Sequence, residues 1–283
     1  MNYRHAFHAG NFAEVLKHVI LARVVAHLRA KPAPFRIIDT HAGAGITDLT
    51  GPEPSRTGEW REGIGRLCAS IPDGRAGALL APYLDAVRAF NPADRLTVYP
   101  GSPALVRAWL RPQDRLLACE LEPGAAAALA RRMRADPRVK VMTIDGWTGL
   151  SAYLPPEERR GAVLIDPPFE QPGEFNRLAE ALAGAHRRWA TGTYLAWYPI
   201  KDRPESDAFA RKLARARIPK MLRAELMAAP RAAANRLRGA GLIVVNPPWT
   251  LEEELAVLLP PLAALLGRDG PGTFRIDRLT TEN

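Results

Sequence analysis

Cysteine is scarce in this chain: Cys68 and Cys119 are the two among 283 residues. Two are too few for a disulfide framework and fit a reducing compartment. Lysine is scarce as well, with six residues, at positions 17, 31, 140, 201, 212 and 220, against 33 arginines. No apolar run reaches the ~18 residues that a membrane helix needs. The opening Met1-Asn2-Tyr3-Arg4-His5 lacks the apolar stretch of a secretory signal. Internal repeats and low-complexity linkers are also missing. These absences exclude a disulfide scaffold, a fibre and a helical membrane protein, and a cytoplasmic protein without membrane contact is expected.

The composition present is that of a globular protein, with 47% hydrophobic and 24% charged residues. A chain of this length buries roughly 75% of its unfolded surface and needs no staples. The net charge of +9 draws a protein toward phosphate backbones. Arginine in place of lysine, with 26 prolines and many alanines, also reads as the bias of a GC-rich genome, so charge alone does not name a partner.

Short apolar runs alternate with longer helix-like stretches, the pattern of a mostly parallel sheet covered on both faces. Strands are expected over 35–39, 115–120, 139–143, 162–165, 192–197, 221–227 and 242–245, about seven in all. Helices are expected over 13–28, 122–134, 175–189, 207–217 and 251–266. Between Thr47 and Thr97 no central strand is visible. The helix-like pieces 58–69 and 76–90 there read as a small insertion, approximately 47–97, within a single domain spanning 1–283.

Open parallel sheets bind ligands outside the carboxyl ends of their strands. The first strand runs into Asp39-Thr40-His41-Ala42-Gly43-Ala44-Gly45, a small-residue loop that lets backbone approach a ligand. The second ends at Glu120, where a carboxylate can accept both hydroxyls of a ribose; a solvated strand-end glutamate is the ordinary alternative. The third ends at Asp145-Gly146, where an acid can accept an adenine amine beside a glycine that admits the ring, or can simply form a turn. In that order the three describe an adenosine cofactor. The fourth ends at Asp166-Pro167-Pro168-Phe169. Two prolines fix φ just past the strand, so that one carboxylate and one carbonyl face a planar amine, and Phe169 offers a face on which a base can stack. A second turn, Asn246-Pro247-Pro248-Trp249, has similar chemistry but is expected at a sheet edge, away from the switch point.

The Asp-Pro-Pro-aromatic turn after a glycine loop resembles the class I, S-adenosylmethionine-dependent amino-methyltransferases. Four further segments extend the likeness over nearly the whole chain: 3–18, Tyr99-Pro100-Gly101-Ser102-Pro103, Trp197-Tyr198-Pro199 and Asn246-Pro247-Pro248-Trp249. With them the chain closely resembles the RlmJ family, bacterial methyltransferases of an adenine N6 in 23S ribosomal RNA. The resemblance implies a seven-stranded Rossmann-like sheet with a small helical insertion, S-adenosyl-L-methionine as cofactor and 23S ribosomal RNA as partner. It implies Asp166 as the catalytic aspartate within the turn Asp166-Pro167-Pro168-Phe169. His18, His41, Ser102, Glu120, Asp145 and Gly146 match cofactor-contacting positions, with Gly43 in the loop. Tyr3 matches a position implicated in RNA contact, and Arg4 stands beside it. Phe169 departs from the family's usual tyrosine; stacking needs only the ring face, but a hydroxyl hydrogen bond is lost.

His5, His8 and His18 cluster in sequence, but no cysteine or acidic spacing completes a metal set, and no metal is expected. A monomer is expected. The implied reaction is methyl transfer to an adenine amine unstacked in an RNA loop or junction. The rivals are an amino-methyltransferase of DNA adenine or protein glutamine, and a non-catalytic RNA-binding protein of the same fold.

Overall fold

The computed structural model describes residues 5–93, 95–229 and 237–281. Its strands are β1 (Arg36–Asp39), β2 (Ile46–Asp48), β3 (Val98–Pro100), β4 (Arg115–Glu120), β5 (Val139–Thr143), β6 (Gly161–Ile165), β7 (Thr193–Ile200), β8 (Met221–Met227), β9 (Gly239–Val245) and β10 (Thr273–Thr280). Its α-helices are α1 (Phe12–Arg29), α2 (Pro52–Thr57), α3 (Arg66–Ala69), α4 (Gly74–Ala89), α5 (Ser102–Trp109), α6 (Pro123–Met133), α7 (Gly146–Ala152), α8 (Glu174–Arg188), α9 (Arg203–Ala214) and α10 (Leu251–Leu266).

The main sheet has eight strands in the order β10-β8-β9-β7-β6-β1-β4-β5. From β5 to β7 every pair is parallel; β9 is antiparallel to β7 and β8, and β10 to β8. Seven strands were expected, and the eighth is β10. Its segment, Thr-Phe-Arg-Ile-Asp-Arg-Leu-Thr, is charged and half-exposed because it forms the edge, where charge guards against further pairing.

Period-2 alternation places successive residues on opposite faces. Ile37, Leu116, Ala118, Ala162 and Leu164 join a core shared with α1, α4, α5, α6 and α10. Ile38, Leu117, Cys119, Val163 and Ile165 join the other, shared with α7, α8 and α9. Both faces are covered, so the central strands read as unbroken apolar runs.

The chain leaves β1 to build β4 and β5 on one side, then returns to build β6 on the other. The switch point therefore lies between β1 and β6, where Asp39 pairs in register with Leu164. The Asn246 turn sits elsewhere, for a reason other than the one expected. Strand β9 is interior, between β7 and β8. It runs against β7, pairing Val245 with Tyr194 near the start of β7, so Asn246 emerges at the opposite end of the sheet. There its amide donates to the carbonyls of Ala190 and Gly192, both at 2.8 Å. The amide closes a turn.

A two-stranded antiparallel ribbon, β2 with β3, closes the base of the insertion. The sequence reading missed this ribbon. The insertion grips the segment before α1. Glu59 accepts from Asn11 Nδ2 and bonds His8 Nδ1, each at 2.9 Å. Thr57 Oγ1 donates to Phe7 O at 2.7 Å, and Ile64 N to Gly10 O at 2.8 Å. Gly63 must be glycine, since a Cβ would lie 2.1 Å from Gly10 O. Asn11 then caps α1, accepting from the N–H groups of Ala13 and Glu14. Helix α1 is buried nearly all round, Glu14, Lys17 and His18 included. No described helix is long and apolar enough to cross a membrane.

Candidate active site

Four strand ends, with α1, form the site about the switch point. Asp166 follows β6 and is 8% exposed. Its Oδ2 accepts from Lys17 Nζ, and the same ammonium donates to Glu14 Oε1. Lys17 is 1% exposed. Burial alone would lower its pKa, but Asp166 and Glu14 more than offset that and hold it above its ordinary 10.5. A buried ammonium between two carboxylates is a fixed cation. Glu14 and Lys17 stand one turn apart, so α1 presents them on one face. Neither was read from the sequence as a site residue. Lys17 lies within a stretch quoted there, but nothing local shows that it meets a carboxylate 149 residues away.

Asp39 ends β1 fully buried. Burial pushes its carboxyl up to about 6, with Ser102, Lys17 and the His41 N–H acting against the rise. Ser102 starts α5 and donates its hydroxyl to Asp39 Oδ2 at 2.6 Å. Beyond Asp39 the loop turns through Gly43 at φ 61° and Gly45 at φ 81°, left-handed conformations that favour glycine. Arg132 of α6 secures it, donating to the carbonyls of Ala44 and Ile46. In His41 the tautomer follows from its neighbours. Thr40 Oγ1 donates to Leu164 O at 3.1 Å, so in its 2.7 Å bond with His41 Nδ1 the histidine must be the donor.

Glu120, at the end of β4, accepts the Gly43 N–H on Oε2 at 2.7 Å and the Glu122 N–H on Oε1 at 2.8 Å. A carboxylate has about four lone-pair sites, so each oxygen retains one for a vicinal diol. That donor set fits the ribose of an adenosine cofactor. Asp145 caps α7, its Oδ2 accepting from the N–H and hydroxyl of Thr148. It is thus a turn aspartate as well as a half-buried strand-end acid. Gly146 sits against the first loop: a Cβ would lie 2.1 Å from Thr40 O and 2.8 Å from the His41 ring. This contact requires glycine and locks the β5 end to the β1 end.

The turn after β6 is conformationally constrained. Phe169 adopts φ 51°, uncommon for an aromatic residue and tolerated where surroundings enforce it. Its ring packs edge-on against Phe175 at 4.9 Å and Trp197 at 5.9 Å between centroids. His18 is fully buried. Its Nδ1 bonds the Tyr99 hydroxyl at 2.7 Å, which meets the Tyr83 hydroxyl at 2.9 Å. These bonds fix the His18 ring one residue along α1 from Lys17. Tyr3 and Arg4 lie outside the described residues. Among the described residues, no group of three or more His, Cys, Asp or Glu could hold a metal ion.

A mostly parallel sheet with this order, a glycine loop after β1, acids after β4 and β5 and an Asp-Pro-Pro-Phe turn at the switch point define a Rossmann-like methyltransferase fold. Comparison with known proteins narrows this. The family model described as Ribosomal RNA large subunit methyltransferase D, RlmJ, matches residues 32–280. Over the full length of both chains the protein is 38% identical to Ribosomal RNA large subunit methyltransferase J of Escherichia coli (strain K12). It is 37% identical, again over both full lengths, to the Haemophilus influenzae protein of the same name. A crystal structure of a Legionella pneumophila protein superimposes with a TM-score of 0.87 at 33% identity, covering 96% of this chain and 98% of that one. The chain belongs to the RlmJ family and is a methyltransferase.

Two outcomes follow from the buried charges. Lys17→Met leaves Glu14 and Asp166 facing each other without a counter-charge. Urea unfolding should show a loss of about 3–5 kcal/mol, and adding Glu14→Gln should restore part of it. Asp39 holds its proton up to about 6 when folded, against 3.8 unfolded. The folded state therefore binds more protons between those values, and this group's contribution to stability falls as pH rises through that window. Asp39→Asn lacks the effect, so its melting temperature should gain on the wild type between pH 4 and pH 7. A constant difference across that range would refute the assignment.

Proposed function

We propose that the protein transfers a methyl group from S-adenosyl-L-methionine to the exocyclic N6 amine of an adenine in 23S ribosomal RNA. The observation that carries this reading is the Asp166 carboxylate. It is held by Lys17 on a proline-rigid turn at the switch point, beside a cradle whose acids suit an adenosine. The family name and the names of the two full-length relatives support large-subunit ribosomal RNA as the substrate, and the net charge of +9 is suited to it.

Glu120 would accept the ribose hydroxyls, Asp145 the cofactor's adenine amine, and the Gly43 loop with His41 and Ser102 would line the cradle. When bound, S-adenosyl-L-methionine supplies an electrophilic methyl group. An adenine amine is a poor nucleophile because its lone pair is conjugated with the ring. Hydrogen bonds from its two protons to Asp166 and to the Pro167 carbonyl favour a pyramidal nitrogen with that lone pair exposed. Lys17 occupies Oδ2, so Oδ1 is the oxygen left to receive the amine, and the carboxylate orients it and takes the proton that N6 sheds on methylation. Much of the rate then comes from positioning in a site shielded from water. The Phe169 ring supplies a face for the adenine. Tyr3 and Arg4 are assigned to RNA contact on the family resemblance. The protein acts on RNA as a monomer in the cytoplasm.

The test is tritiated methyl transfer to RNA lacking the modification, with DNA of the same sequence alongside and the product mapped. Asp166→Asn should lower turnover by at least about 100-fold while calorimetric affinity for the cofactor stays within about twofold. If that variant turns over normally and Asn246→Ala is dead, the wrong turn has been assigned. Glu120→Ala should weaken cofactor binding by roughly 10- to 150-fold through the loss of charged hydrogen bonds; unchanged affinity in a folded variant removes the ribose role.

A further inference from the structure

Beside Phe169, a cleft of about 310 Å³ opens between the loop after β6, α8 and α9, within the size range of small-molecule sites. Its lining includes Phe169, Glu174, Phe175, Lys201, Phe209 and Lys212. None of the cradle residues lines it; it shares only Phe169 with the catalytic turn. The three rings form a connected apolar wall, with Phe175 4.9 Å from Phe169 and 5.1 Å from Phe209.

One polar group in this wall is out of place. Glu174 is 5% exposed, yet its Oε2 is buried with no hydrogen-bond partner among the described residues. The backbone N–H groups of Gln171 and Glu170 support the carboxylate, which leaves Oε2 as the unmatched atom. A buried acceptor without a donor is costly, and Glu174 is among the residues that line the cleft, so a ligand N–H seated there would supply the donor that Oε2 lacks. Lys212 is partly committed, donating to Asn176 at 2.9 Å and Glu180 at 3.4 Å. Lys201 stands exposed at the rim, placed for an anion.

We infer that this cleft holds the RNA nucleotide next to the target adenine, taking a base that carries an exocyclic amine. The base stacks on the phenylalanine wall, its amine donates to Glu174 Oε2, and its phosphate meets Lys201. An aromatic face, a single acceptor and a cation are the three elements of single-stranded base recognition. Phe169 borders both the cleft and the position proposed for the adenine, so the two lie side by side. The inference rests on the RNA reading above. It adds a sequence preference: cytosine, adenine or guanine over uracil, which presents a carbonyl where cytosine presents an amine.

Cytosine and uracil make a matched pair for the test, because they differ at the group that would face Glu174. Binding of CMP and UMP is measured by calorimetry at pH 8. Methyl transfer is measured with the trinucleotides CAC, CAU, UAC and UAU. The wild type should prefer CMP, and cytosine at one flank, by about 3- to 10-fold. In Glu174→Gln the amide oxygen turns to the backbone N–H groups and the NH2 takes the Oε2 position, so an acceptor becomes a donor. The preference should then shrink or reverse toward uracil. Lys201→Ala, at an exposed site, should weaken all four trinucleotides alike, lessen their salt dependence and leave cytidine without phosphate unaffected. Equal use of all four trinucleotides, or a cytosine preference that persists unchanged in Glu174→Gln, overturns the proposal while leaving the RNA reading intact. A Glu174-dependent CMP preference without transfer to any RNA would keep the site as one for free mononucleotides and overturn its place beside an RNA target.

Discussion

The ammonium of Lys17 is the contact on which the site depends. It ties α1, near the start of the chain, to the first residue after β6, 149 positions later. A lysine this deep can stay charged only because two carboxylates meet it, and each carboxylate tolerates burial for the reciprocal reason. Such a group has little freedom to slide, because a small displacement leaves a desolvated charge unmatched. It therefore fixes the register of a nearly all-buried helix against the sheet, which apolar contacts alone would specify less sharply. The Asp166 carboxylate inherits its orientation from that register.

Around this contact the sheet supplies direction. Five strands from β5 to β7 run the same way, so Asp39, Glu120, Asp145 and Asp166 all emerge along one edge. Glycine then lets the loops close on one another: Gly43 donates to Glu120, and Gly146 admits the Thr40 carbonyl. The reversal at β9 sends a chemically similar turn to the far edge. Strand polarity, more than residue type, separates the two Pro-Pro turns.

Much of this could be read in advance, because the features that position the site are local. Apolar runs bounded by turn residues marked β4, β5 and β8 at their observed limits, and α10 as well. The strand-end acids stood out because an acid directly after a buried run is a local pattern. Lys17 and Glu14 did not, since their meaning lies in a contact between distant parts of the chain. The edge strand β10 was hidden by its charges, which pair with other elements: Asp277 with Arg223, and Arg275 with Asp207. The Asn246 turn was expected at a sheet edge, whereas β9 lies inside the sheet. Its position needed the direction of β9, which composition does not encode.

The grip of the insertion on residues 7–11 has a consequence for how the protein can be altered. The helix that carries Lys17 begins at a cap held by Glu59, and its approach is clasped at Phe7 and Gly10 by Thr57 and Ile64. The insertion is therefore the anchor of the lever that ends at the Asp166 carboxylate. A protein engineer who trims it as a dispensable loop, or exchanges it with that of a relative, would have to move the leader and α1 with it. The two segments, some 50 residues apart in sequence, form one exchangeable part.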